Sequence, residues 1–356
     1  MSKTFAVGHH TVGPEEPTYF IADVAANHDG DLGRAKELIH LCAEAGANAA
    51  KFQNFAAATI VSDFGFKDLG GQQSHQENWS KSVFEVYNDA SIPMKWTTEL
   101  KAACDEAGID YFTAPYDLSM IDALAPYVCA WKLGSGDITW HEEIAALARD
   151  GKPFFMATGA AEIGEVRQAV EIATDLNSDI CLMQCNTNYT ASVENFHHIA
   201  LNVLKTYARE FPDVLLGLSD HTPGHATTLG AVALGARAVE KHFTDDQDRE
   251  GPDHKFSMNH ATWREMVDRT RELEAALGNE EKRVMDNEKE TVVLQRRALR
   301  ARGPIGEGQV ISDGDLIVLR PCPEDALPPY RMGELVGKTA GRDIEAGDCV
   351  RLTDLR

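Results

Sequence analysis

His221 and His242 stand at equivalent places in this chain: each ends an apolar run rich in strand-forming residues, and the two runs are consecutive. Neighbouring strands lie about 4.8 Å apart, so imidazoles at adjacent strand ends can converge on one cation. Two neutral imidazole nitrogens, completed by oxygens from water and substrate, suit a divalent metal with open positions, such as Mn, Co, Zn or Mg. The plainer alternative is a pair of satisfied histidines at a rim. That plainer reading is given to the other histidines, including His9-His10 and His197-His198. Lys51 and Lys132 also end apolar runs. With Ser135 and Ser219 they would form a pocket for a phosphate or carboxylate, which the glycines of Gly134-Ser135-Gly136 would let approach the backbone closely. Here the plainer alternative is two lysines paired with Asp137 and other rim acids.

Such residues need a scaffold that brings strand ends to one place. The chain supplies short apolar runs at 19–24, 49–53, 110–114, 130–134, 153–158, 180–185, 214–219 and 237–242. Helical patterns separate them, and several end in glycine, as helix C-termini do. Alternating strands and helices predict a parallel sheet. Eight such units in roughly 250 residues fit a (β/α)₈ barrel, with an open doubly wound sheet as runner-up. Polar residues end nearly every run: Asp23 with Asn27 and His28, Lys51 with Gln53, Tyr116-Asp117, Lys132 with Ser135 and Asp137, Thr158, Tyr189, Ser219-Asp220-His221, and His242. Burying them costs free energy unless something binds there. The connection 55–97 is long, polar and irregular, which in a compact domain marks a functional or disordered segment.

Residues 1–278 read as the barrel, 279–293 as a charged linker and 294–356 as a small β-rich domain. Two similar phrases, Pro304-Ile-Gly-Glu-Gly-Gln-Val310 and Asp343-Ile-Glu-Ala-Gly-Asp-Cys-Val350, form a weak repeat within that domain. Arg320, taken alone, reads as a solvated arginine. The net charge of -22 argues against nucleic acid and anionic membranes as partners. It also means that an anionic substrate needs a local cationic cluster. The 7 scattered cysteines do not form a disulfide framework. No apolar run approaches the roughly 20 residues of a membrane span. No secretory signal is visible, so a cytoplasmic protein is expected.

The ordered phrases IADVAANHDG (21–30), KFQN (51–54), WKLGSGD (131–137), ATG (157–159), GLSDHT (217–222), EKHFT (240–244) and GPDHKFSM (251–258) together resemble the sialic acid synthase family. That family includes pseudaminic and legionaminic acid synthases. The tail resembles its antifreeze-like (SAF) domain, and the likeness runs over nearly the whole chain. The resemblance implies condensation of phosphoenolpyruvate with the open-chain aldehyde of an N-acetylated hexosamine, N-acetylmannosamine or a related sugar, with release of phosphate. It implies that His221 and His242 hold a divalent metal (Mn²⁺, Co²⁺ or Mg²⁺). It gives Lys51, Lys132, Ser135 and Ser219 to phosphoenolpyruvate, and Gln53, Tyr189 and Asp253 to the sugar. It further implies a domain-exchanged homodimer in which Arg320 enters the partner's site. Where the family commonly has glutamate, this chain has Asp23 and Asp137, the candidates for orienting or deprotonating water. Each is one methylene, about 1.5 Å, shorter. Ala157 stands where a phosphate-contacting serine is often found, and Thr187 where Asn or Ser is common. These departures leave the aldehyde open. A different aldose acceptor, and a non-catalytic sugar- or ice-binding protein, are the alternatives.

Overall fold

In the computed structural model, which describes residues 3–69, 76–77 and 79–356, the chain separates into two compact units, Met1–Gly278 and Asn279–Arg356. Among the described residues of the first, eight parallel strands close into a barrel. They are β1 (Tyr19–Asp23), β2 (Ala49–Asn54), β3 (Asp110–Pro115), β4 (Trp131–Leu133), β5 (Phe154–Ala157), β6 (Ile180–Cys185), β7 (Leu215–Asp220) and β8 (Ala236–His242). Each is followed by a helix: α1 (Leu32–Glu44), α2 (Thr97–Ala107), α3 (Leu118–Leu124), α4 (His141–Arg149), α5 (Ile163–Leu176), α6 (Val203–Glu210), α7 (Ala226–Ala233) and α8 (His260–Leu277). This is the expected (β/α)₈ barrel, and the strands match the apolar runs to within a residue or two.

The strands are buried on both faces, which is why they read as near-continuous apolar runs. The interior is layered. At its lower end Tyr19 and Phe112 each stack on Phe155, with ring centroids 6.2 and 5.7 Å away. A hairpin of Phe5–Val7 and His10–Val12 lies at this end, with the Phe5 ring 6.1 Å from Phe155. The helices cover the outside through one apolar stripe each. In α1 it is Ala35, Leu38, Ile39 and Cys42, and the Asp31 side chain caps the helix by accepting from the Gly33 and Arg34 amides. At the end of α2, Gly108 takes φ 73°, the left-handed conformation that lets the chain turn back into β3.

The connection 55–97 follows β2. Its described part holds short helices at Ala57–Ile60, Asp63–Asp68 and Val83–Ala90, the last fixed by a Ser82/Glu85 capping box. Residues 70–75 and 78 of this stretch lie outside the described residues.

In the second unit β9 (Ala298–Ala301) pairs antiparallel with β10 (Leu316–Leu319) over a core that includes Leu299, Ile305, Ile311, Leu335 and Ile344. The two repeated phrases pair with each other. Ile305 and Ile344 exchange both backbone hydrogen bonds, at 2.9 and 2.8 Å, and Gly308 and Gly347 take the same left-handed turn at φ 88° and 83°. The stretch 279–293, expected as a linker, belongs to this unit. It leads into α9 (Lys289–Gln295), which is tied in by Cys322 N donating to Val293 O at 2.9 Å and Arg320 Nε to Gln295 O at 2.7 Å. Among the described residues no helix is long and apolar enough to cross a membrane.

Candidate active site

Barrel register decides which side chains meet at the mouth. His242 is opposite Asp23, Asp23 opposite Lys51, and Glu240 opposite Ser219. Because strand side chains alternate, Lys51 and Gln53 share one face of β2, and Glu240 and His242 share one face of β8. Asp23 sits at the centre. Its Oδ2 lies 2.8 Å from Lys51 Nζ, accepts from Gln53 Nε2 at 3.0 Å, and lies 3.6 Å from His242 Nε2. Glu240 Oε1 bridges the two lysines, 3.6 Å from Lys51 and 3.3 Å from Lys132. The lysines therefore pair with acids of the rim, as the plainer alternative supposed, but these are Asp23 and Glu240 and not Asp137. The reason is height in the barrel: Asp137 sits on the turn Ser135–Asp137 beyond β4, while Asp23 and Glu240 are on the strands themselves. Lys51 and Lys132 are only 2% and 3% exposed. Burial works against the charge on Lys51, but Asp23 and Glu240 outweigh it and hold Lys51 above the usual lysine range.

Ser135 accepts from the Gly159 amide at 3.0 Å. A Cβ on Gly159 would lie 1.9 Å from Thr187 Oγ1, 2.9 Å from Ser135 Oγ and 3.1 Å from Cys185 Sγ, so these side chains enclose a hollow that only glycine keeps open. Ser219 is buried on β7. Asp253 accepts from the Ala26 amide at 3.1 Å. Burial, set against that hydrogen bond and reinforced by Asp23, pushes it up to about 6. Tyr189 packs edge-on to His221, ring centroids 4.4 Å apart, and near Phe256 at 5.2 Å. The structure thus gathers Asp23, Lys51, Gln53, Lys132, Ser135, Asp137, Tyr189, Ser219, His221, His242 and Asp253 on one unit. Arg320 lies on the other unit, exposed at the end of β10.

The histidines fit a divalent metal. Their ring centroids are 5.3 Å apart. His221 Nδ1 lies 3.0 Å from Asn186 O; burial works against a charge on this ring, but Cys185 and that carbonyl outweigh it and raise its pKa, so a metal on Nε2, with Nδ1 donating to the carbonyl, would have to displace a proton. His242 Nδ1 is buried without a hydrogen-bond partner, and burial, then His221 and Lys51, keep this imidazole neutral. Among the described residues no three His, Cys, Asp or Glu side chains form a ready-made cage. Two imidazoles would leave the remaining positions of a divalent metal to water or substrate.

Some residues at this mouth escape a reading by strand ends. Glu240 is legible in hindsight, two residues before His242 and hence on the same face of β8. Phe256 and Cys185 have no signal in residue type. Tyr116, by contrast, was marked as a strand-end residue, and it reaches the mouth from the end of β3, its hydroxyl 2.8 Å from where a Cβ on Gly134 would be. Glu143 is on a helix, and no strand pattern marks it.

A model described as the NeuB family matches residues 38–282, and one described as the SAF domain matches residues 296–356. The chain is 32% identical to an N,N'-diacetyllegionaminic acid synthase of Legionella pneumophila over 341 residues, 94% of each chain. It is 31% identical to a pseudaminic acid synthase of Campylobacter jejuni over 348 residues, 96% of this chain and 98% of the other. A crystal structure of N-acetylneuraminic acid synthetase from Leptospira borgpetersenii superposes with a TM-score of 0.71 at 26% identity, covering 82% of this chain and 96% of that one.

Proposed function

The chain belongs to the NeuB family and carries a SAF domain, and from that premise we propose that it joins phosphoenolpyruvate to the aldehyde of an N-acetylated hexosamine, giving a nonulosonic acid and phosphate. The observation that carries the reading is the pair of buried lysines, Lys51 and Lys132, set beside the His221/His242 pair in one barrel mouth. Relatives of similar identity are named for legionaminic, pseudaminic and sialic acids, so the family supports the reaction class and leaves the hexosamine open.

Lys51, Lys132, Ser135 and Ser219 bind phosphoenolpyruvate in this reading. Gln53, Tyr189 and Asp253 line the space for the sugar, and Arg320 completes it from a second copy of the chain. His221 and His242 would hold a divalent metal, whose chemistry when bound is Lewis-acid polarisation of the aldehyde and added positive charge. That charge matters: the two lysines are already offset by Asp23 and Glu240, so the protein alone offers an anion little net attraction. Carbon 3 of phosphoenolpyruvate bonds to the aldehyde carbon, whose oxygen gains a proton and becomes a hydroxyl; water adds at carbon 2 with loss of one proton, and its second proton leaves as the ketone forms and phosphate departs by C–O cleavage, the phosphate taking up a proton. In this reading Asp137, pushed up to about 6 by burial, takes a proton from that water near neutral pH.

Turnover in ¹⁸O-water with a panel of N-acetylated hexosamines, non-acetylated sugars and sugar phosphates tests both halves. Label should appear in the sugar acid. Label in the phosphate, or no phosphate release with any acceptor, rejects the reaction.

A further inference from the structure

The loops that follow β1 and β8, residues 24–31 and 243–259, are neighbours because their strands pair. Side chains join them at several points. Asn27 Nδ2 donates to Phe243 O at 2.8 Å and to Ser257 Oγ at 2.9 Å, and Ser257 Oγ donates to Asp253 O at 2.6 Å. The deepest join is His254, which is 0% exposed. Its Nε2 lies 2.9 Å from Asp29 Oδ1, and its Nδ1 lies 2.7 Å from Thr244 Oγ1. A carboxylate only accepts, so Nε2 is the donor to Asp29. Asp29 is held in turn by Arg34 Nε at 3.1 Å and Arg249 Nε at 3.2 Å.

His254 begins a single turn, His254–Phe256, whose other end packs against the site. The Phe256 ring lies 4.8 Å from His242, 6.0 Å from His221 and 5.2 Å from Tyr189. Asp253, immediately before the turn, accepts at Oδ2 from the Ala26 amide at 3.1 Å. The buried imidazole thus stands between a residue proposed for the sugar and one that packs on both proposed metal ligands. The backbone is shaped around it. A Cβ on Gly251 would lie 2.6 Å from His254 Cδ2 and 3.0 Å from Nε2, so the chain passes the ring too closely for a side chain. Asp29 takes φ 51° and Ala25 φ 46°, a left-handed conformation that residues with a Cβ keep only where surrounding contacts hold it.

We propose that the Asp29–His254 contact is a clasp that positions Asp253 and Phe256, and through them the sugar space and the His221/His242 pair. The anion site stands apart from it. Lys51, Lys132 and Ser135 are held by Asp23, Glu240 and Gly159, none of which belongs to either loop. Loosening the clasp therefore disturbs the sugar site and leaves the phosphoenolpyruvate site in place. The naming of the two ligands rests on the reaction proposed above; the clasp itself does not. Asp29 and His254 act through Asp253 and Phe256 and are positioning residues.

The Asp29 side chain is 27% exposed, so Asp29→Ala opens the clasp without emptying the core. Nuclear magnetic resonance of the histidine rings, ¹³C-labelled at Cε1, reads the geometry without turnover. The His221 and His242 signals, assigned by substituting each in turn, should shift in Asp29→Ala as the Phe256 ring moves against them. Unmoved signals overturn the clasp whether or not the protein condenses phosphoenolpyruvate with anything. Kinetics read its use. In Asp29→Ala, KM for the sugar should rise about tenfold while KM for phosphoenolpyruvate stays within about twofold. Asp29→Asn, which keeps an oxygen to accept from His254, should recover most of that loss. His254→Leu, checked for folding by its melting curve, should show the same split between substrates. Equal rises in both KM values, or no rise in either, overturn the positioning role. A wild-type protein that releases no phosphate with any acceptor rejects the reaction instead, and the ring spectra still decide the clasp.

Discussion

Asp23, Lys51, Lys132 and Glu240 form a chain of alternating charge, all four nearly excluded from water. Removing one member exposes its neighbours to an unpaired burial, so each substitution has two effects. Lys132→Ala removes one cation from the proposed anion site. A charge-assisted contact contributes about 1.5–3 kcal/mol, so KM for phosphoenolpyruvate should rise roughly tenfold or more, with KM for the sugar nearly unchanged. Steady-state phosphate release at varied concentrations of each substrate measures this, and an unchanged KM for phosphoenolpyruvate would make the lysine structural. For the histidines the decisive reading is binding. His221→Ala and His242→Ala should each lose Mn²⁺ binding, followed by titration calorimetry, while keeping the wild-type circular dichroism. Chelator should abolish activity in the wild type and Mn²⁺, Co²⁺ or Mg²⁺ restore it. Undiminished binding in either variant would remove that histidine from the metal site.

Among the elements, the end of β7 carries the most constraint. Ser219 and His221 face the mouth region, while Asp220 between them turns to the helix side. There its Oδ2 accepts from Lys241 Nζ on β8 at 2.5 Å, Thr227 Oγ1 at 2.6 Å and Thr222 Oγ1 at 2.8 Å, and Lys241 also donates to Thr222 O at 2.6 Å. Burial alone would raise the Asp220 pKa, but Lys241, then Thr227 and Thr222, bring it below the usual aspartate value. This pair pins the turn that presents His221. Breaking a buried pair from one side costs about 3–5 kcal/mol, so Lys241→Met should be destabilised by that order in urea unfolding. The sign of its pH dependence follows from the lowered pKa. The native pairing is fully stabilising above the unfolded aspartate value of about 3.9 and is lost as pH falls through the folded value. The gap between wild type and Lys241→Met should therefore narrow below about pH 4, and a gap constant with pH would contradict an ionic pair.

At the level of the whole molecule, the barrel unit holds the proposed metal, anion and most sugar contacts, and the second unit holds Arg320. Family resemblance predicts that this arginine serves a second chain. Arg320→Ala should then weaken the sugar and spare phosphoenolpyruvate and metal binding. Inactive His242→Ala and inactive Arg320→Ala proteins, mixed and allowed to exchange subunits, should recover part of the activity by building one complete site per heterodimer. No recovery, with heterodimers confirmed by mass spectrometry, would place the arginine's action within its own chain or nowhere.

The sequence by itself determined eight alternating strands and helices, because alternation of apolar runs with helical stripes is a local property; it favoured a barrel over an open doubly wound sheet, and the closure itself was decided by strand pairing in the tertiary structure. The sequence also marked the polar residues at strand ends, since a polar side chain that ends an apolar run stands out in one dimension. The tertiary structure decided which of those residues pair. Strand register set Asp23 against Lys51 and His242, and put Glu240 between the two lysines, relations that join residues far apart in the chain. It also decided what surrounds each group. Glu143 reads in the sequence as one acid in a run of helix residues, and Asp220 and Lys241 as two charges flanking histidines. Only packing buries the first without a partner and the other two with one, because desolvation depends on every element that closes around a side chain.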